Sequence, residues 1–297
     1  MTKTVLILGA SGKIGLHSVQ AFSRAGWTVR TYKRGTDMTA AAMGADVIVN
    51  GLNPPNYHDW DTIIPQITQQ VIAAAKASDA TVIIPGNVYN FGVQAGPWTE
   101  KTAQVPVCRK GEIRKVMEET YRRSGVQTIV LRAGTFIDPD GNGDVLKTVH
   151  MKSAKQGKIT ALGRPNAQHA WTYVPDWARA AVALSEKRDA IGQYEDIPMP
   201  DFAMSIEELA DLIAQVSGKP MKVVAFPWWI MRITAPVWEL ARELVEMRYL
   251  WNHDHALGGT RLANVLPDFQ STPPASIART LADLYVHPDK SMRPAIT

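Results

Sequence analysis

The chain has 297 residues, 45% of them apolar and 20% charged, and carries a net charge of +4. That balance supports a sizeable core in one large domain or two unequal ones, and it excludes a disordered chain. The cations are scattered, with no run longer than Lys33-Arg34 or Arg122-Arg123, which excludes a nucleic-acid footprint and favours a small anionic ligand.

In chain order, Val5 to Leu8 is a short apolar run that ends at Gly9 and reads as a buried strand. Ile14 to Ala25 has helical spacing and stops at Gly26. Strands follow at Trp27 to Tyr32 and Asp46 to Asn50, separated by a small-residue helix around Thr39 to Met43. A helix over Ile63 to Ala77 leads to a strand at Ala80 to Ile84. A helix over Gly111 to Arg123 leads to a strand at Val126 to Leu131. Strands alternating with helices predict an α/β fold, a Rossmann-type doubly wound parallel sheet covered on both faces.

Beyond about residue 135 the pattern changes. Ser205-Ile-Glu-Glu208 is a capping-box start to a helix that runs to Ser217, with Gly218 and Pro220 as stop signals. Val223 to Phe226 reads as a short strand, and Pro227 to Asn252 as mostly helical. Six of the nine tryptophans lie after residue 150. The expected division is a dinucleotide-binding domain over 1–135, with 165–185 packing back onto it, and a smaller, mostly helical substrate region over 136–297.

Gly9, Gly12 and Gly15 form G-x-x-G-x-x-G between a strand and a helix, and each has a physical task. Gly9 allows the turn out of the strand, Gly12 the approach of phosphates, and Gly15 close helix-to-strand packing. The helix N-terminus then offers free N–H groups and a positive dipole end to a pyrophosphate. With Ser11, Lys13 and Ile14 these residues are the expected dinucleotide cradle. The next strand ends Tyr32-Lys33-Arg34, with no carboxylate before Asp37. Arg34 can grip a 2′-phosphate bidentately and Lys33 adds charge, so NADP(H) is favoured over NAD(H).

These features resemble the extended or atypical short-chain dehydrogenases/reductases, the NAD-dependent epimerase/dehydratase family, along nearly the whole chain. G-A-S-G-K-I-G is similar to the family's G-A-T-G-x-x-G. "DVIVNGLNPP" stands where the family has an acidic residue, a strand and a turn, which places Asn50, Gly51 and Leu52 against the cofactor. "VIIPGNVYNFG" is similar to the strand that ends in serines and Val-Tyr-Gly, with Pro85 and Gly86 beside the cofactor. "WTEKTAQVP", "LRAGTFIDPDG" and "TYVPDWARA" resemble three further family segments.

The chain also departs from the family. The catalytic Ser or Thr falls at Asn87. In the place of Tyr-Gly-x-x-Lys and its following Glu stand Lys110-Gly111-Glu112-Ile113-Arg114 and Glu118. The acid/base tyrosine is replaced by Lys110 and the lysine by Arg114, with Tyr89 a spare phenol nearby. Desolvation can lower the Lys110 pKa enough for a proton donor; the alternative is that Lys110 and Arg114 face solvent on a helix. The short Gly35–Ala45 link implies a lost strand or a trimmed adenine site.

On the substrate side, Trp98, His169 and Trp171 are candidate ligands or pocket walls, and Asp176 is expected to cap a helix. His169 on an exposed loop is the alternative. His253-Asp254-His255 lacks a further ligand at metal spacing, so no metal is expected. The charges of 227–252 (Arg232, Glu239, Arg242, Glu243, Glu246 and Arg248) are balanced in sign, which favours a core, lid or dimer face over a membrane-surface helix.

The single cysteine, Cys108, excludes an internal disulfide and fits a reducing compartment. Met1 leads directly into a strand and no apolar run is long enough to span a bilayer, so a cytoplasmic location without a membrane span is expected. The expected protein is an NADP(H)-dependent oxidoreductase or epimerase-like enzyme for a small, fairly apolar carbonyl or hydroxyl substrate, and a homodimer is compatible with it. The competing readings are a non-catalytic NADP(H) sensor and an assembly factor that uses the aromatic C-terminal part as an interface.

Overall fold

A computed structural model describes residues 3–141 and 145–288. Residues 289–297 of the expected C-terminal region lie outside the described residues. The first half runs β1 (Thr4–Leu8), α1 (Lys13–Arg24), β2 (Thr28–Thr31), α2 (Met38–Ala42), β3 (Val47–Asn50), α3 (Trp60–Ser78), β4 (Thr81–Gly86), α4 (Arg109–Arg123) and β5 (Thr128–Arg132). Then come β6 (Thr135–Ile137), β7 (Lys158–Ala161), β8 (His169–Tyr173), α5 (Val174–Glu186), β9 (Tyr194–Pro198), β10 (Phe202–Met204), α6 (Ile206–Ser217) and β11 (Lys222–Ala225). The chain closes with α7 (Trp228–Thr234), α8 (Glu239–Met247), α9 (Arg261–Val265) and α10 (Pro274–Tyr285).

The main sheet has six parallel strands in the order β2-β1-β3-β4-β5-β9. Because alternate side chains point to opposite faces, β1 feeds two cores. Val5 and Ile7 pack with Phe22 of α1 and Trp177 of α5. Leu6 and Leu8 pack with Ile64 and Val71 of α3 and Tyr121 of α4. Burial on both faces explains why these strands read as continuous apolar runs. Among the described residues the sheet ends at β2, since the Gly35–Ala45 link holds only α2.

Smaller sheets β10-β8-β6 and β11-β7 carry the second half. A third core joins Ile159, Trp171, Ile206, Leu209, Ile213, Ile277 and Leu281. The α6 start is the capping box read from sequence: Ser205 Oγ accepts the Glu208 N–H at 3.1 Å and Glu208 accepts the Ser205 N–H at 2.7 Å. Asp176 departs from expectation. Tyr173 is the residue before the first turn of α5, and Val174 and Pro175 begin that turn. The buried Asp176 carboxylate instead accepts from the Thr272 N–H and hydroxyl at 2.6 and 2.9 Å, tying α5 to the segment before α10.

Candidate active site

The three glycines divide their work as their spacing suggests. Gly9 has φ +74°, and a Cβ there would lie 2.9 Å from the Gly51 carbonyl oxygen. A Cβ at Gly15 would lie 2.1 Å from the Gly9 carbonyl oxygen, so helix and strand close only around glycine. Gly12 is exposed, and its Cβ would meet only the Gly9 oxygen, at 3.4 Å. No side chain caps α1. Its first-turn N–H groups, from Lys13, Ile14 and Gly15, are therefore left to an anion. The residues present fit a dinucleotide pyrophosphate.

Beside this cradle, Lys33 and Arg34 are exposed, and neither has an ion-pair partner among the described residues. Asp37, the first carboxylate after them, is engaged elsewhere: it accepts the Thr39 and Ala40 N–H groups at the start of α2. At the end of β3, Asn50 turns its side chain inward. Its Oδ1 accepts the Leu52 N–H at 3.1 Å, and its Nδ2 lies 3.3 Å from the Tyr121 hydroxyl. The Gly51 and Leu52 N–H groups are thus both engaged, the first with the Leu8 carbonyl at 3.0 Å and the second with Asn50. Pro85 and Gly86 close β4, where a Cβ at Gly86 would clash with Val130 at 2.6 Å.

β4 delivers Asn87 and Tyr89. Asn87 Oδ1 accepts the Tyr89 N–H at 2.9 Å, and its carbonyl accepts from Arg132 at 2.6 Å. Arg132 is wholly buried and also donates to Glu118 at 2.7 Å and Asp196 at 2.6 Å. Burial opposes its charge, but the two carboxylates outweigh that cost and hold the guanidinium charged. Glu118, the residue that set the motif register in the sequence, is therefore the anchor beneath the site.

Lys110 and Arg114 do not face open solvent. Lys110 is 1% exposed, and its ammonium is clamped by Glu243 and Glu246 of α8. In this arrangement it is engaged by two carboxylates rather than aimed as a free donor. Arg114 is half-buried, donates to Asn53 Oδ1 at 2.7 Å and stacks 4.7 Å from the Trp60 ring.

The sequence reading missed Tyr57. Its hydroxyl lies 3.3 Å from that of Tyr89, and Lys110 Nζ lies 5.1 Å from its ring. Burial first, then Tyr89, pushes the Tyr57 phenol well above the ordinary range, so it stays protonated. Among the described residues, four that are not glycine have positive φ, and Asn56, Tyr57 and Asp59 are three of them. Such strain concentrates at functional sites. The sequence signal available was the Asn-Pro-Pro-Asn turn at 53–56 directly after the cofactor turn.

The substrate-side candidates are packed rather than open. Trp98 stacks on Phe91 at 5.1 Å and His255 at 5.2 Å, and its Nε1 donates to the Gln94 carbonyl at 3.1 Å. Trp171 Nε1 donates to the Met204 carbonyl at 2.9 Å. His169 is on strand β8, not an exposed loop, and is 1% exposed. His255 Nδ1 accepts the Ala170 N–H at 3.2 Å, so its Nε2 carries the proton donated to His169 Nδ1 at 3.2 Å. Burial lowers His169 and His150 to about 4 and His255 to about 3. All three are neutral near pH 7.

His253, Asp254 and His255 bond to different partners: the Gln94 carbonyl, Arg164 and His169. A different group, His17, Asp138 and Asp140, brings its ligand atoms within 4.8 Å of one another, and these residues can hold a divalent metal. An apolar groove of about 220 Å³ runs between α3 and α4, lined by Ile64, Ile113, Val116 and Met117.

No protein-family model and no curated protein sequence matches the chain. Solved structures do. MoeE5 in complex with UDP-glucose and NAD is 14% identical over 98% of this chain and 100% of its own, with a TM-score of 0.77. UDP-glucuronic acid 4-epimerase from Bacillus cereus, in complex with UDP-glucuronic acid and NAD, is 15% identical over 96% and 99%, with a TM-score of 0.76. UDP-glucose 4-epimerase from Brucella ovis, in complex with NAD, is 16% identical over 96% and 99%, with a TM-score of 0.72. The chain has the fold of these NAD-bound structures, in line with the short-chain dehydrogenase/reductase resemblance of its motifs.

Proposed function

We propose that the protein is an NADP(H)-dependent oxidoreductase or epimerase-like reductase with a rebuilt acid/base site. The observation that carries this reading is the glycine cradle at the uncapped start of α1, with Arg34 exposed and unpaired beside it. The backbone from Ser11 to Gly15 holds the pyrophosphate, and Arg34 with Lys33 holds the 2′-phosphate. This departs from the NAD of the structural neighbours, on the ground that no free carboxylate follows β2 to bond a ribose diol.

A nicotinamide dinucleotide bound there supplies or accepts a hydride. The Asn87 amide NH2, which has no partner among the described residues, points the substrate oxygen. The Tyr57–Tyr89 pair holds the proton that this oxygen needs. Lys110 fixes α8 over the site through Glu243 and Glu246, and Arg114 orients a ribose hydroxyl or a substrate anion.

The substrate is small and fairly apolar rather than a nucleotide sugar. His169 and His255 are uncharged, Arg164 is paired with Asp254, and Trp98 and Trp171 form the surroundings. The unpaired Cys108 thiol fits a reducing, cytoplasmic setting. The α3–α4 groove, with Val116 half exposed, is the face on which a homodimer forms.

The sealing of Lys110 favours a second reading, a non-catalytic NADP(H) sensor of the same fold. Calorimetric titration with NADPH and NADH, followed by a carbonyl library read by NADPH absorbance, separates the two. Tight NADPH binding with turnover supports the enzyme, and binding without turnover supports the sensor. Equal affinity for both nucleotides removes Arg34 from its role, and no affinity for either removes both readings.

A further inference from the structure

α7 turns its apolar side outward. Trp229 is 65% exposed, Ile233 70% and Val237 91%, with Ile230 and Trp238 in the same stretch. Apolar surface this concentrated marks a binding face. It does not come from loose packing. Trp228 pins the helix: it is buried, its Nε1 donates to the Leu162 carbonyl at 2.6 Å, and Arg248 lies 5.4 Å above its ring.

Charge decides what covers this face. The structure alters the sign balance that the sequence suggests for 227–252. Glu243 and Glu246 are engaged inward by the buried Lys110, while Glu239 stays at the surface, paired with His58. Arg232 is exposed and has no ion-pair partner among the described residues. β11 runs directly into α7 and opens with Lys222, in register beside Lys158 of β7, both exposed. Lys219 and Lys155 adjoin them, Lys219 Nζ donating to the Lys155 carbonyl at 2.6 Å. Indole rings, aliphatic side chains and cations, with each acid of the segment held in an ion pair, match the headgroup and upper acyl region of an anionic bilayer.

We propose that α7 is a membrane-surface foot by which the protein docks reversibly on an anionic lipid bilayer. The test is sedimentation of the full chain with phosphatidylcholine vesicles made with and without phosphatidylserine. Binding is expected on the serine-containing vesicles, weaker by at least about tenfold on phosphatidylcholine alone, and falling as salt rises. Trp229→Ser with Ile233→Ser is expected to lower partition at least about tenfold, with an unchanged urea midpoint because both residues are exposed. Lys158→Glu with Lys222→Glu is expected to reduce the preference for phosphatidylserine. Absence of binding to either vesicle, or equal binding by the Trp229/Ile233 variant, overturns the proposal. Self-association that this variant abolishes, without any vesicle binding, also overturns it and assigns the face to a second copy.

Discussion

The Tyr57 and Tyr89 hydroxyls meet at 3.3 Å, although one comes from the loop after β3 and the other from the turn after β4. This places a half-buried phenol pair next to the position where the family motif has lost its tyrosine. Tyr57→Phe and Tyr89→Phe are each expected to lower turnover of a responsive carbonyl by about 10²-fold, and to leave NADPH affinity unchanged. Turnover that survives both substitutions takes the proton donor elsewhere.

Arg34→Glu is expected to weaken NADPH binding by at least about tenfold and to leave NADH binding nearly unchanged, because only the former carries the 2′-phosphate. Paired titrations of wild type and variant read this directly.

Lys110 is held by two carboxylates from α8, so removing both should leave a buried ammonium without a partner. Glu243→Gln with Glu246→Gln is expected to cost about 3–5 kcal/mol in urea unfolding. The same pair of substitutions placed on Lys110→Met should cost far less, since no buried charge then remains. Equal costs in the two backgrounds would mean that the clamp contributes little.

Acid should destabilise the protein through its buried histidines. His150, His169 and His255 have folded values of about 4, 4 and 3, below the ordinary 6.5. Between those limits the unfolded chain binds more protons than the folded one. The stabilisation is therefore complete above pH 6.5 and is lost as pH falls towards 4, by about 1–2 kcal/mol per histidine at pH 5. Urea midpoints measured from pH 7.5 to 5 should fall accordingly, and the fall should be shallower in His255→Gln.

The alternating strands and helices, the glycine cradle and the α6 capping box were legible because each is written in neighbouring residues. What lay beyond reach depended on distant packing. The partner of Lys110 comes from Glu246, 136 positions away, so a residue with the pattern of a surface helix cation is buried. Tyr57 stands in a left-handed conformation that its own side chain disfavours, and only its surroundings explain it. His169 looked like a loop residue because β8 is short and paired to β6 and β10, contacts no local pattern records.

Among the described residues the main sheet stops at β2, a ribbon of four residues whose outer backbone groups have no neighbouring strand. Such a margin can recruit a foreign chain into continuous β-structure, and short length with flanking positive charge discourages it. Lys33 and Arg34 stand just past that ribbon. The side chains assigned to the nucleotide thus also guard against fibril growth. Neutralising both should produce a protein that clumps on storage as well as one that misreads its ligand.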